Sequence, residues 1–275
     1  MARQNYFDIL NRMEFDPQRE LKNLMDLLEM ERNFKSIYYE TSLNSAISDN
    51  FLDYPNRSTF TSYSQMVEFV GLNIYNTTEQ LFVFSEFLVD IFCNLAEKFT
   101  EEESEFIQII FDNIKRFLEL SNHELITLDN GNKIIVEKNV YASEASQIVS
   151  ETSIEEAIKV LEYNHFSNKG NIQRKKEILI ALANYLEPFR RELNYSEELK
   201  DIMKVNNQKV IAFEKLFEMY NNFGLRHNNS NQYHLDLADD ELEQWYDDIY
   251  TSTLFVILSM DESRILSKLK TLREG

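Results

Sequence analysis

Arg226 and His227 stand side by side in the run Asn221-Asn222-Phe223-Gly224-Leu225-Arg226-His227-Asn228-Asn229, and His234 follows a few residues on. A guanidinium can clamp a phosphate and stabilise the charge that develops on a pentavalent phosphorus. An imidazole near its ordinary pKa can take a proton from a 2′-hydroxyl or return one to a leaving oxygen. The amides of Asn222, Asn228 and Asn229 can orient either group. Together these residues have the chemistry of metal-independent RNA cleavage, which needs no cofactor. They also have a structural reading. Arg226 then neutralises a helix C-terminus and pairs with an acidic residue, and the asparagines serve the loop.

A second polar set accompanies the first. Glu187, Arg190 and Arg191 lie at the end of the preceding long helix, and Arg174, Lys175 and Lys176 at its start. On a chain of formal charge -19 these are rare basic spots. They read either as a local landing site for a phosphate backbone or as helix-end charges with i,i+4 partners. Other chemistries lack their residues. The five glycines are too scattered for a phosphate-binding loop, and neither a Gly-x-Ser-x-Gly elbow nor a His-Glu-x-x-His pair occurs. The four histidines show no metal-ligand spacing, so no metal is expected. The single cysteine, Cys93, excludes an intramolecular disulfide and a multi-cysteine zinc site, and its apolar surroundings predict a buried, inert thiol.

The elements that must position these groups read as helices. Leu21, Leu24, Leu27 and Leu28 share one side of a helix over 18–32. The polar stretch 42–64, with Pro55, predicts loop with short helical pieces. Thr77 with Gln80, Thr100 with Glu103, Ser153 with Glu156 and Asp240 with Glu243 have capping-box spacing, each ahead of an apolar helix. Two short apolar runs flank Asn130-Gly131, the pattern of a β-hairpin, and a lone hairpin needs a helix or partner to lie on. Asn171 caps a helix that Pro188 should kink or end. A further helix over 208–223 should stop at Gly224, and the last should reach about Leu269.

The expected fold is mainly α, helical bundles with a small β-hairpin insert between two helical halves: 1–122, the insert 123–139, and 140–275. Only 5 Gly and 3 Pro interrupt the chain, which favours long helices over a turn-rich β fold. The greasiest run, Leu81 to Leu95, carries Glu86 and Asp90 and reads as a core helix, not a membrane span. No apolar signal core opens the chain, and a cytoplasmic setting fits. Acidity of this degree repels nucleic acid at long range, so RNA could be met only through a local basic patch.

Several runs carry a resemblance: Tyr163-Asn164-His165, Lys175-Lys176-Glu177-Ile178-Leu179, Leu186-Glu187-Pro188, Arg191-Glu192-Leu193, and Asn221 through Asn229. Over about residues 124–260 the chain resembles bacterial abortive-infection-type proteins whose C-terminal parts are similar to the HEPN superfamily. The resemblance implies a four- or five-helix bundle, frequent dimerisation, and metal-independent ribonuclease activity in phage defence or toxin–antitoxin pairs. It makes Arg226 the signature arginine. His227 is adjacent to it and His234 lies beyond the usual spacing. Either one of them supplies the imidazole in a rearranged site, or the chain is a non-catalytic relative. The rival expectation is an acidic helical scaffold or regulatory subunit of a larger defence complex.

Overall fold

The computed structural model describes residues 14–36, 39–72, 77–128, 130–226 and 237–274, with the side chains of 33–36, 39–40, 72 and 274 set aside. The protein is mainly α. It divides into two compact units: Met1–Thr127 with Gly131–Ile135, and Leu128–Asn130 with Val136–Gly275. Among the described residues no helix is long and apolar enough to cross a membrane.

In the first unit α1 (Pro17–Glu29) starts at Asp16, whose carboxylate accepts the N–H groups of Gln18 and Arg19. Pro17 sits at the first helical position, where its missing N–H costs nothing. Leu21, Leu24 and Leu28 form the buried stripe of α1. An antiparallel pair, β1 (Arg32–Ser36) and β2 (Tyr39–Thr41), follows, which periodicity did not announce. The polar stretch holds α2 (Leu43–Asn50), capped by Ser42, and a 3-10 turn, Phe51–Asp53. Then come α3 (Tyr63–Leu72), α4 (Thr77–Asn94) and α5 (Glu101–Leu120). The Thr100–Glu103 capping box at the start of α5 is complete.

Cys93 departs from expectation: it is exposed. It follows Glu86 and Asp90 at helical spacing, on the narrow outward face of α4, while Leu88, Ile91 and Phe92 turn inward. The hairpin forms as β3 (His123–Thr127) and β4 (Lys133–Glu137), with Gly131 at φ 85° in the turn. It does lie on helices. β3 runs against α5, the His123 ring lies tilted 4.6 Å from that of Phe82, and the Ile135 N–H donates to Glu86 Oε1 at 2.6 Å.

The second unit contains α6 (Val140–Ser150), α7 (Ile154–Glu162), α8 (Ile172–Leu186), α9 (Arg190–Tyr195), α10 (Glu197–Ile202), α11 (Ile211–Asn222) and α12 (Asp239–Glu274). α12 is the axis, packing on α6, α8, α10 and α11. It runs past the expected end at Leu269, because no Pro or Gly interrupts it before Gly275. Ser153 is a second correction. Its hydroxyl bonds the Glu156 carboxylate and not a backbone N–H, so the capping box there is incomplete. Pro188 acts as expected: α8 stops at Leu186, a 3-10 turn spans Glu187–Phe189, and α9 sets off anew. The helix expected from 208 begins at Ile211. Before it, β5 (Val205–Asn206) and β6 (Lys209–Val210) form a tight hairpin with Asn207 and Gln208 at positive φ.

Candidate functional site

Arg226 reaches its position through the stop of α11. Gly224 takes φ 65°, and the Leu225 N–H donates back to the Tyr220 carbonyl at 2.9 Å. That turn buries Leu225 and swings Arg226 toward the junction of α8 and α9. There its Nη2 lies 2.8 Å from Glu187 Oε2. The guanidinium also sits over the Phe217 ring, 5.7 Å from its centroid, and the side chain is only 10% exposed. The contact with Glu187 is a charge contact without hydrogen-bond alignment.

Arg190 meets the same ring. Its guanidinium carbon is 4.8 Å from the Phe217 centroid, so one buried phenyl carries two cations. Arg190 in turn pairs with Glu214 at 3.6 Å. Glu214 also accepts from Asn194 Nδ2 at 2.6 Å and Lys209 Nζ at 3.2 Å. Burial works against charge on Glu214, but Lys209, Arg190 and Asn194 outweigh it and hold the carboxyl below the ordinary range. A depression of about 430 Å³ opens beside this group. Its cations are all paired, Arg190 and Lys209 with Glu214, and Lys215 with Glu218.

The sequence-predicted residues thus separate. Arg226, Glu187 and Arg190 come together, as ion pairs and ring contacts. Arg191 is exposed and lines a different shallow depression with Pro188 and Tyr195. Asn222 is half-buried at the end of α11. His227, Asn228, Asn229 and His234 lie outside the described residues.

The basic start of α8 is engaged in the same way. Arg174 pairs with Glu162 and Glu177. Lys175, whose side chain is 8% exposed, reaches Glu243 and Asp247 of α12 at 2.7 Å each. Asp247 also accepts from the Tyr163 hydroxyl at 2.8 Å, and Tyr163 stacks on Tyr250 at 3.9 Å. Among the described residues no group of three or more His, Cys, Asp and Glu side chains is placed to share a metal ion.

One feature of the second unit carries no sequence motif. A cleft of about 540 Å³ lies between α6, α8, α9 and the distal half of α12. Tyr185, Phe189 and Met260 contribute apolar surface, while Glu151, Glu192, Glu198 and Asp261 supply carboxylates. The readable signal was charge order along α12. Its first ten residues hold Asp239, Asp240, Glu241, Glu243, Asp247 and Asp248, whereas residues 264–273 hold Arg264, Lys268, Lys270, Arg273 and no acid. Comparison of the chain with protein-family models, with curated proteins and with solved structures finds no match.

Proposed function

We propose that this chain is a non-catalytic acidic helical subunit that works by binding a partner protein with a basic surface. One observation carries this reading: the Arg226 guanidinium is occupied by Glu187 and the Phe217 ring. A phosphate clamp needs a cation that faces solvent and is free to gain an anion. Here an incoming phosphate would have to displace a carboxylate whose contacting oxygen is buried, which leaves that charge unpaired. The net charge of -19 points the same way, since it favours basic partners and opposes polyanions. The rival reading is HEPN-like RNA cleavage in phage defence, with Arg226 as clamp and His227 or His234 as acid and base. It requires Arg226 to leave Glu187.

The test is RNA cleavage in EDTA by the purified chain and by Arg226→Ala, His227→Ala and His234→Ala. The subunit reading expects all four at the buffer background, with Arg226→Ala melting at a lower temperature. Cleavage by the wild type that Arg226→Ala abolishes, with the fold retained, would overturn it. A positive counterpart is recovery of the chain from its own cells with a protein partner that raised salt releases.

A further inference from the structure

The distal turns of α12 carry a second, separate peculiarity. Ile265, Leu269 and Leu272 are 49%, 42% and 80% exposed, and their i, i+4, i+7 spacing puts them on one stripe. Lys268 and Arg273 flank the stripe and Lys270 lies behind it. Among the described residues these three cations make no ion pair. An aliphatic stripe edged by cations is half of a contact, and its complement is an apolar floor edged by carboxylates.

The same chain holds that complement. The cleft beside α12 has its floor in Tyr185, Phe189 and Met260 and its acids in Glu151, Glu192, Glu198 and Asp261. Of its two lining cations, Arg264 is shared between Glu151 and Asp261 and offsets that side of the rim. Four carboxylates against Arg264 and Lys268 still leave the lining net negative, with Glu192 and Glu198 outside any ion pair among the described residues. The helix cannot fold back into its own cleft, since Met260 to Lys268 are part of the wall. A second copy can reach it. A two-fold axis across the distal part of α12 would place each stripe in the other copy's cleft, the self-complementary arrangement of an isologous dimer.

We propose that two copies of this chain associate antiparallel through the distal half of α12, the stripe Ile265–Leu269–Leu272 of each seated in the acidic-rimmed cleft of the other. Stripe residues 265–272 span roughly 10 Å of helix, about two turns. Two such reciprocal junctions, with the stem of Arg273 laid over the rim, form the interface. The contact uses neither Arg226 nor Glu187, so it stands or falls apart from the subunit reading.

Sedimentation velocity on the full chain tests it, over a concentration series at moderate salt. The wild type is expected to sediment as a concentration-dependent dimer. Leu269→Glu with Leu272→Glu should give a monomer with unchanged helix content, as should the cleft variant Met260→Glu. Mixing the two variants should restore some dimer, because the heterodimer keeps one intact stripe-in-cleft junction. A wild type that is monomeric throughout overturns the proposal. So does a dimer that the stripe variant leaves intact, or a mixture of the two variants that stays monomeric while each is folded. If Met260→Glu unfolds, Glu151→Lys with Glu192→Lys replaces it as the cleft variant in both readings.

Discussion

The two units use charge in opposite ways. The first is assembled on aromatic and aliphatic faces: Phe82, Phe92, Phe106 and Phe117 are buried, and the Tyr63 and Phe87 rings stack at 6.0 Å. Its described ion pairs tie few elements together: Arg19 joins Glu20, its half-buried neighbour on the same helix, and Lys98 meets Asp53 at the surface. The second unit threads cations through its interior. Lys175 joins α8 to α12, Arg226 joins the end of α11 to the α8–α9 junction, and Arg190 joins α9 to α11. A basic residue that is rare in the sequence is therefore no guide to substrate here. In the second unit such residues hold helices in register, and breaking a pair leaves its partner's charge stranded.

The contrast breaks first at Phe217. Phe217→Ala removes a fully buried ring and the surface under two guanidinium groups, and should cost about 3–5 kcal/mol. The chain's one tryptophan, Trp245, belongs to the second unit and packs on Phe223, so its fluorescence reports this loss in a denaturant titration. Lys175→Met comes next. It strands the Glu243 and Asp247 carboxylates, which keep partial access to water, so about 2–4 kcal/mol is expected in the same titration.

Acid should sharpen the comparison. Burial opposes charge on Glu162, Glu214 and Glu243. Lys159 and Arg174 for the first, Lys209 and Arg190 for the second, and the Gly170 N–H with Lys175 for the third nonetheless hold all three carboxyls below their ordinary value. A carboxyl lowered by folding stabilises the fold above its unfolded pKa, and that contribution disappears as pH falls through the lowered value. The Trp245 transition should thus weaken as pH drops below the ordinary glutamate value of 4.5. A transition unchanged through that window contradicts the ion-pair account. The smallest effect belongs to the first unit. Thr100→Ala removes the side-chain half of the α5 capping box and should cost about 1 kcal/mol, seen by circular dichroism and leaving the Trp245 transition in place.

Much of the fold was legible because local rules decided it. Thr100 and Glu103, Asn171, Pro188 and Gly224 each act through backbone groups a few residues away, and each behaves as its type requires. The Asn130-Gly131 hairpin is of the same kind. Ser153 shows the limit: a neighbouring carboxylate competes for its hydroxyl, and sequence spacing does not rank the two partners. Cys93 shows another, since an apolar run hides which narrow face of a helix points outward.

The candidate site was legible only in part, for a physical reason. That Glu187, Arg190 and Arg226 would meet could be anticipated from two helix ends. Whether a guanidinium then faces water or a carboxylate depends on fractions of a turn in helix packing, which no local pattern encodes. The cleft beside α12 was invisible as a motif because Ile148, Tyr185, Phe189 and Met260 come from three α-helices and a 3-10 turn, spread over more than a hundred residues of sequence. The charge order along α12, by contrast, is plain in the sequence and needed only the cleft to give it meaning.

A double-mutant cycle on Arg226 and Glu187, read by unfolding of the second unit through Trp245, probes the interior role of these cations at its centre. If Arg226 serves the fold, each single alanine destabilises and the cycle returns a coupling of about 1–3 kcal/mol. Additive single effects, with a coupling within about 0.5 kcal/mol of zero, would show that Arg226 stands apart from Glu187 in solution and is free to meet an anion.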